Sequence, residues 1–300
     1  MNVSNILDFA IKICETGTYD GEYTVNYNGT PRTKPTYLTN KEWKAFLDRM
    51  DKTALEDFKN GDGDELSEKN GRPPKMACYG SSSRMIYNLS KDVPGFRYEK
   101  KLHTTLGGTA NIDGFLEEEY RYCFVEAKCH EPYGYAPKKI TVSKCYEELY
   151  KFLTKYGFGE FKAEITDSSN PRQKDVVFFA KNEKIQYFDI KQMICHLLGI
   201  ATGILKGSLA AKDTEFIYLL FNPIVLAYDT HEQREAVERI YNRTCLECEL
   251  FDFPELMRGI LYFLKNQKYP ASLTEGEINN YVNRFSFTLT NQNDYPAIFK

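Results

Sequence analysis

Residues 96–128 have the sequence FRYEKKLHTTLGGTANIDGFLEEEYRYCFVEAK, and this stretch decides the fold. Three segments in it, 96–105, 109–116 and 120–128, combine β-branched and aromatic residues in the way that is typical of strands. Gly107-Gly108 supplies a turn after the first segment, and three consecutive glutamates form a polar bend after the second. Because successive strands with short connections usually pair, the stretch predicts an antiparallel meander.

The third segment carries two charged residues in an apolar setting. Side chains alternate along a strand, so Glu126 and Lys128 are expected on one face, with Val125 and Ala127 on the other. Buried charges are costly unless they are paired or bind a metal ion. Asp113 belongs to the preceding segment, which the meander would place beside the third. The sequence therefore predicts that two carboxylates and one amine converge at one end of a hairpin.

These three groups suit the hydrolysis of phosphodiester bonds. Two carboxylates supply the oxygen ligands that a hard divalent cation such as Mg²⁺ prefers. The ion lowers the pKa of a bound water and neutralises the charge that builds on the phosphate. Lys128 would orient the attacking water and offer positive charge to the transition state. The competing interpretation is an ordinary ion pair between Glu126 and Lys128 on a solvated face, which the apolar flanking residues disfavour.

The spacing of these residues resembles a known signature. Ile112-Asp113, a gap of 12 residues and then Glu126-Ala127-Lys128 resemble the PD-(D/E)xK signature of the restriction-endonuclease-like superfamily, with Ile112 in place of the proline. That signature is short, but the similarity to bacterial restriction-endonuclease-like proteins extends over residues 79–225, half of the chain. The segments that carry it are 98–102 (YEKKL), 105–108 (TLGG), 125–128 (VEAK) and 191–199 (KQMICHLLG).

The resemblance implies an architecture. The expected fold class is α/β (α+β by stricter naming), with a restriction-endonuclease-like mixed central sheet flanked by helices and the meander at its heart. Residues 71–300 would form this nuclease domain, and residues 1–70 would be an N-terminal helical extension. The glycine- and proline-rich segment 60–74 is the expected connection between them.

The resemblance also assigns roles to the residues of the signature. It implies that Asp113 and Glu126 are metal ligands and that Lys128 is the catalytic lysine. The backbone carbonyl of Ala127 would complete the metal's coordination. The implied cofactor is Mg²⁺, with Mn²⁺ as a substitute.

Residues outside the signature are further candidates. Glu99 matches an additional acidic residue that many members of the superfamily place near the metal, although by itself it is an ordinary strand carboxylate. Gln192 is a candidate for positioning the attacking water or the strand, and it shares a helix face with His196, one turn away. At least one of these two is expected to be structural. Three lysines after the third strand are candidates for phosphate contacts or for a solvated helix face: Lys138, Lys139 and Lys144.

The implied function is a metal-dependent endonuclease of restriction type that hydrolyses DNA phosphodiester bonds. Two alternatives stay open: a non-cleaving nucleic-acid-binding module of the same fold, and a nuclease that acts on RNA. DNA is the expected partner. A homodimer and a cognate methyltransferase system are both compatible with a restriction-type role. The intact Asp113, Glu126 and Lys128 favour the enzyme over the binding module.

Elsewhere the pattern alternates between helix and strand. Apolar residues recur at helical spacing over 6–14, and after a polar, turn-rich stretch at 16–39, Thr39 or Asn40 is expected to cap a second helix. Further helices are predicted at 81–90, 144–156, 189–205, 232–242, 254–266 and 275–285, and further strands at 176–180, 215–221 and 245–251.

Composition is that of an ordinary soluble protein, with 42% hydrophobic, 27% charged and 14% aromatic residues. The net charge of −3 does not by itself indicate a polyanion partner, although a local basic stripe can serve within an acidic total. Charged residues interrupt the first 16 positions, so no signal peptide is expected, and no run approaches the roughly 18 apolar residues of a membrane helix. Eight cysteines without a regular framework fit free thiols in the reducing cytoplasm.

Three rival motifs carry less weight. Cys129-His130 cannot act as a pair, because adjacent residues on a strand point to opposite faces. Cys245-x-x-Cys248 resembles half of a zinc site, but no second pair stands at a usable spacing and buried packing is favoured. Gly107-Gly108 lacks the following helix and lysine of a phosphate loop.

Overall fold

The computed structural model describes residues 3–17, 23–27, 30–34, 36–63, 65–69, 71–133, 140–267 and 273–299. The α-helices within them are α1 Val3–Thr16, α2 Asn40–Arg49, α3 Lys52–Asn60, α4 Ser82–Ser90, α5 Glu147–Tyr156, α6 Ile190–Leu205, α7 His231–Glu249, α8 Phe253–Asn266 and α9 Glu275–Val282. The strands are β1 Tyr23–Tyr27, β2 Thr30–Lys34, β3 Arg97–His103, β4 Thr109–Glu117, β5 Arg121–Lys128, β6 Ile140–Ser143, β7 Phe161–Asp167, β8 Gln173–Ala180, β9 Glu183–Lys184, β10 Asp213–Leu220 and β11 Phe285–Thr290.

A five-stranded mixed sheet in the order β11-β10-β5-β4-β3 forms the centre of the molecule. The predicted meander is confirmed, because β3 pairs antiparallel with β4 and β4 pairs antiparallel with β5. Strand β10 then runs parallel to β5, and β11 runs parallel to β10. The chain therefore has a mixed α/β fold in which β5 is the middle strand.

A second, antiparallel sheet has the order β6-β8-β7, with β9 paired to β8. It lies in the chain between β5 and α6, in the long crossover that a parallel β5–β10 pair requires. Helix α6 closes this crossover and packs across β3 and β4. Only the strand at 176–180 was predicted there, and β6 and β7 were missed although their sequences, ITVS and FKAEITD, alternate apolar and polar residues.

Both faces of the central sheet are covered. Phe124 and Phe216 belong to one buried cluster, which includes the apolar side of α6 and α8. Their chain neighbours Val125 and Ile217 belong to a second cluster on the opposite face, which the N-terminal helices complete. A strand segment buried on both faces has no polar face, which is why residues 122–125 of β5 and 216–220 of β10 are continuously apolar. Burial on both sides also makes any charged residue in β5 exceptional.

Local signals fixed several helix starts. The side chain of Thr39 accepts a hydrogen bond from the Glu42 amide and Glu42 returns one, so α2 begins with a capping box. Ser81 caps α4 and Asp189 caps α6, each with a side-chain oxygen that accepts a hydrogen bond from a backbone N–H of the first turn. The predicted helices at 81–90 and 189–205 are thus confirmed to within one residue.

The C-terminal third contains two errors of prediction. The expected strand at 245–251 is helical, because α7 continues to Glu249. Cys245 and Cys248 are spaced for one face of a helix, and no proline or glycine interrupts the preceding turns. The predicted helix at 275–285 ends at Val282, and β11 follows it. This edge strand was missed because its pairing with β10 is nonlocal.

In the N-terminal segment the structure adds two elements that the sequence did not predict. Strands β1 and β2 form an antiparallel hairpin inside the stretch expected to be turns. Helix α3 precedes the glycine-rich segment and starts at an Asp51 cap. Buried side chains of α1 and α3, such as Leu7 and Phe58, pack into the same cluster as Val125 of the central sheet.

All eight cysteines lie among the described residues, and none of them forms a disulfide. Cys78, Cys123, Cys129 and Cys248 are buried. Within the described ranges, none of the helices has the length and apolar character needed to cross a membrane.

Candidate active site

Asp113 and the Glu126–Lys128 segment meet at the middle of the sheet. Because Gly114 pairs with Val125, Asp113 lies beside the end of β5. Its Oδ2 accepts a hydrogen bond of 2.8 Å from the backbone N–H of Ala127, the residue between Glu126 and Lys128. The structure thus brings together the three side chains that the sequence singled out.

Glu126 is buried, with 1% of its surface exposed, and both of its carboxylate oxygens are engaged. Oε1 accepts a 2.5 Å hydrogen bond from Nζ of Lys128. Oε2 lies 2.8 Å from Nε2 of His196 on α6. The two charges of β5 share one face as predicted, but they form a buried pair rather than a solvated one, because Lys128 is only 9% exposed.

Helix α6 supplies two side chains to the site. Nζ of Lys128 donates a second hydrogen bond, of 2.7 Å, to Oε1 of Gln192. His196 lies one turn further along the same face of α6 and contacts Glu126. The cap at Asp189 fixes where this helix begins, and therefore which of its residues face β5.

The charges of this cluster shift the proton affinities of its members. Burial raises the pKa of Asp113 well above its ordinary value, and the nearby Glu126 carboxylate raises it further. Burial also disfavours the charged form of Glu126, but the Lys128 ammonium and His196 outweigh it, so the pKa of Glu126 lies below its ordinary value. Burial lowers the pKa of Lys128, yet Glu126 and Asp113 more than compensate and leave it well above its ordinary value. Glu126 and Lys128 are therefore an ion pair, whereas burial and the neighbouring Glu126 disfavour a negative charge on Asp113.

Glu99 lies opposite Asp113 across the β3–β4 pair. Tyr98 pairs with Gly114 and Lys100 with Ile112, so Glu99 occupies the intervening position. Its φ of 52° is in the left-handed region, which is costly for a residue with a Cβ and turns the side chain out of the regular ladder. Burial raises the pKa of Glu99 to about 7, and the carboxylates of Glu65 and Glu126 contribute.

Two cavities adjoin the site. Asp113, Ala127 and Lys128 line one of about 260 Å³, together with Glu65. Glu99 lines a neighbouring cavity of about 560 Å³ between α3 and β3 instead. Glu99 therefore influences Asp113 through its charge. A ligand in the first cavity could contact Asp113, Ala127, Lys128 and Glu65 together.

The donor set fits a hard divalent cation. Three carboxylates line the first cavity, those of Glu65, Asp113 and Glu131, beside the side chains of Lys75, Lys128 and His130. Oε2 of Glu65 is buried there without a hydrogen-bond partner among the described residues, although its other oxygen accepts from Lys75. Carboxylate oxygens are the ligands that Mg²⁺ or Mn²⁺ prefers.

The expected metal ligands do not surround one common point in this structure. Among the described residues, the carboxylate oxygens of Asp113, Glu126 and Glu99 do not all come within 4.8 Å of one another. Glu126 is turned toward Lys128 and His196, and it does not line the cavity. Of the expected ligands, Asp113 and Ala127 face the cavity directly.

Three residues of the site were missed or left undecided by sequence reasoning. His196 shared a helix face with Gln192, so its position was visible in the sequence, but its partner Glu126 was not. Tyr218 of β10 pairs with Glu126 of β5, and its buried hydroxyl has no hydrogen-bond partner among the described residues. Nothing in the sequence pointed to Glu65, because it comes from a loop before α4.

The remaining candidates from the sequence are three lysines and the Cys129-His130 motif. Lys138 and Lys139 lie outside the described residues, and Lys144 opens a short 3-10 turn after β6. The ring of His130 pairs with Asp8, whereas the amide of Cys129 donates to Ser82 and Glu131. The two residues of the Cys129-His130 motif therefore do not form a catalytic pair.

Comparisons of the chain with protein-family models, with curated proteins and with solved structures each found no match.

Proposed function

We propose that this chain is a metal-dependent endonuclease of the PD-(D/E)xK type that hydrolyses DNA phosphodiester bonds. The observation that supports it most strongly is the hydrogen bond between Asp113 and the amide of Ala127, which joins two carboxylates and a lysine at one point of a central sheet. Charged groups are expensive at the centre of a sheet that is buried on both faces. A chemical role explains why they are there.

Each residue has a role in this proposal. Bound Mg²⁺ would supply charge neutralisation and an acidified water. Asp113 and the carbonyl of Ala127 would hold it from the cavity, and Glu126 would complete the set by turning one oxygen away from Lys128 or His196. Lys128 stays protonated beside Glu126, and it offers positive charge to the pentacoordinate phosphorus group of the transition state. Gln192 accepts from Lys128 and so orients its ammonium group. His196 holds Glu126 in place and is a positioning residue.

The fold supports the same proposal. The meander β3–β5, the parallel strand β10 and the covering helix α6 give the mixed sheet flanked by helices that the superfamily resemblance implies. A restriction-endonuclease-like fold is part of the proposal. In it β5 and β4 carry the acidic residues and α6 carries the residues that position them.

The test is cleavage of plasmid DNA by the full chain with Mg²⁺ or Mn²⁺, beside Glu126→Ala and Lys128→Ala. The exposed pair Lys162 and Glu164 on β7 provides a matched control, since the two side chains have the same two-residue spacing and a 2.9 Å contact but are about half exposed. We expect both site variants to lose at least about 100-fold in cleavage rate, while Lys162→Ala and Glu164→Ala keep the wild-type rate.

The alternatives are separated by the same preparation. Equal cleavage by wild type and both site variants would contradict the proposed active site. Metal-independent DNA binding without cleavage would replace the enzyme by a binding module of the same fold. Competition between labelled DNA and RNA assigns the substrate, and a preference for RNA cleavage would overturn the DNA assignment while leaving the chemistry in place.

A further inference from the structure

A second cluster of ligand-type side chains lies beside the candidate active site. Asp8 of α1, Cys78 before α4 and His130 after β5 come from three distant parts of the chain. Their ligand atoms all lie within 4.8 Å of one another. Among the described residues, no other group of three or more such side chains has its ligand atoms this close together. Asp8 and Cys78 are buried, and His130 is partly exposed.

The distances within the cluster are close to those around a tetrahedral ion. Nδ1 of His130 lies 2.8 Å from Oδ1 of Asp8, and Sγ of Cys78 lies 3.6 Å from Oδ2 of Asp8. Sγ of Cys78 and Nδ1 of His130 are 3.9 Å apart. Zinc bonds of about 2.0–2.3 Å in tetrahedral geometry separate the ligand atoms by about 3.3–3.8 Å. The contact between Oδ1 of Asp8 and Nδ1 of His130 has to open by about half an ångström for an ion to be bound through that oxygen.

Gly80 leaves room for this cluster. A Cβ at Gly80 would overlap Oδ1 of Asp8 and would come within 2.9 Å of Nδ1 of His130. The backbone of Gly80 also accepts a hydrogen bond from the His130 amide. A glycine at this position therefore lets the chain pass directly beside the two ligand atoms, as it does where a backbone must approach a bound group closely.

The cluster holds two protons that a metal ion can replace. Burial raises the pKa of the Cys78 thiol, and that thiol donates to Asp8. Burial disfavours the charged imidazole of His130, but the hydrogen bonds to Asp8 and Cys78 and the charges of Asp8 and Glu131 together outweigh it and raise the pKa to about 11. Exchange of these two protons for one divalent ion leaves the total charge of the three side chains plus ion unchanged. Such an exchange is not opposed by the burial of net charge.

The same geometry argues against a thiol nucleophile. In a Cys–His pair that activates the thiol, one ring nitrogen takes the thiol proton and the other is oriented by a third group. Here Asp8 and Cys78 both contact Nδ1 of His130. A buried thiol with a raised pKa is also unreactive.

We propose that Asp8, Cys78 and His130 bind one zinc ion, with the fourth coordination position open to the cavity that also contains Asp113 and Lys128. Carboxylate, thiolate and imidazole together select zinc over Mg²⁺, which takes oxygen ligands. Cys78 and His130 line that cavity, so an ion or a water can reach the site from it. The zinc ion ties α1 to the end of β5, and it is independent of the magnesium proposed at Asp113.

The experiment is a zinc titration of the full chain after treatment with a chelator. We expect one high-affinity Zn²⁺ per chain and the release of about two protons per ion, measured by calorimetry in buffers of different ionisation enthalpy. Co²⁺ in place of Zn²⁺ is expected to give a thiolate-to-cobalt charge-transfer band. Cys78→Ser should abolish that band, and Asp8→Asn and His130→Ala should each weaken Zn²⁺ binding by more than about 100-fold.

Matched controls make the result specific. Cys129→Ser removes another buried thiol beside His130, and Asp113→Asn removes the carboxylate proposed to bind magnesium. Both should bind Zn²⁺ as tightly as the wild type. Gly80→Ala should weaken binding without removing a ligand. If the wild type binds no stoichiometric Zn²⁺, or gives no charge-transfer band with Co²⁺, the proposal is wrong regardless of how the variants fold. It is equally wrong if Asp113→Asn loses Zn²⁺ while Cys78→Ser keeps it.

Discussion

Nε2 of His196 lies 2.8 Å from Oε2 of Glu126, and this contact joins helix α6 to the middle strand of the central sheet. Both side chains are almost fully buried, so the carboxylate depends on protein partners rather than water. The other oxygen of Glu126 is held by Lys128. The ion pair at the centre of the candidate site therefore has its orientation set from a different element of the fold.

Replacement of His196 should cost both stability and activity. His196→Ala leaves Oε2 of Glu126 buried without its partner, and we expect the free energy of unfolding in urea to fall by about 2–4 kcal/mol. His196→Gln keeps a donor and should recover part of that loss. The exposed pair His231 and Glu235 on α7 is the control, and His231→Ala should change stability by less than about 0.5 kcal/mol. A His196→Ala protein as stable as the wild type would contradict this prediction.

Asp113→Asn should separate function from stability. An asparagine oxygen can still accept from the Ala127 amide, and the substitution replaces a carboxyl group whose charged form is disfavoured by a neutral amide. With EDTA present, we expect the variant to be at least as stable as the wild type in thermal unfolding. Mg²⁺ should stabilise the wild type and not the variant, because a ligand stabilises only a state that binds it. Cleavage should fall by at least about 100-fold. Equal stabilisation of both proteins by Mg²⁺ would remove Asp113 from the metal site.

Glu99 should make the metal-free protein less stable as the pH rises. Its pKa is raised from 4.5 to about 7 by burial and by neighbouring carboxylates, so between these values the folded chain binds a proton that the unfolded chain has lost. Stability therefore falls as pH increases through this window, by about 3 kcal/mol at most. Glu99→Gln should remove this dependence, and stabilise the protein at pH 8 but not below pH 4.5.

The measurement for Glu99 is urea unfolding in EDTA across that pH range. Glu160 is a suitable control because it also has a positive φ, of 58°, but is exposed. Glu160→Gln should leave the pH profile of the wild type unchanged. If Glu99→Gln and the wild type have the same profile, the carboxylate of Glu99 is not held in a charged cluster.

Gly199→Ala should displace α6 from the sheet. A Cβ at Gly199 would lie 2.9 Å from Cβ of Ala110 and 3.0 Å from Cβ of Leu102, which are strand atoms that cannot rotate away. The helix has to move, and with it Gln192 and His196. We expect a loss of about 1–3 kcal/mol in unfolding free energy and a cleavage rate reduced by more than about 10-fold.

A glycine with open space around it provides the comparison. In α9, a Cβ at Gly276 would meet nothing nearer than Oγ1 of Thr274 at 4.0 Å. Gly276→Ala should leave stability unchanged or raise it, because alanine favours the helix by about 1 kcal/mol. Full activity in Gly199→Ala would show that close contact between α6 and the sheet is not needed to position the site.

Local patterns in the sequence were sufficient for the elements that depend on local interactions. The caps Ser81 and Asp189 and the turn at Gly107 specify where α4, α6 and β4 begin, because the groups that satisfy the backbone are neighbours in sequence. Strand β11 was missed because it is stabilised by pairing with β10, which is distant in sequence. Strands β1 and β2 form a local hairpin, and the hairpin signal of Asn28-Gly29 between them was overlooked. The strand predicted at 245–251 was wrong because a short apolar run fits helix and strand equally.

The sequence by itself determined the meander and the shared face of Glu126 and Lys128, because a two-residue alternation is a property of any strand. Only the tertiary structure decided that this face is buried, that His196 takes one oxygen of Glu126, and that Asp8, Cys78 and His130 meet. Those contacts join residues 52 to 122 positions apart. Their formation depends on how helices pack on both faces of the sheet, and no local periodicity encodes that packing.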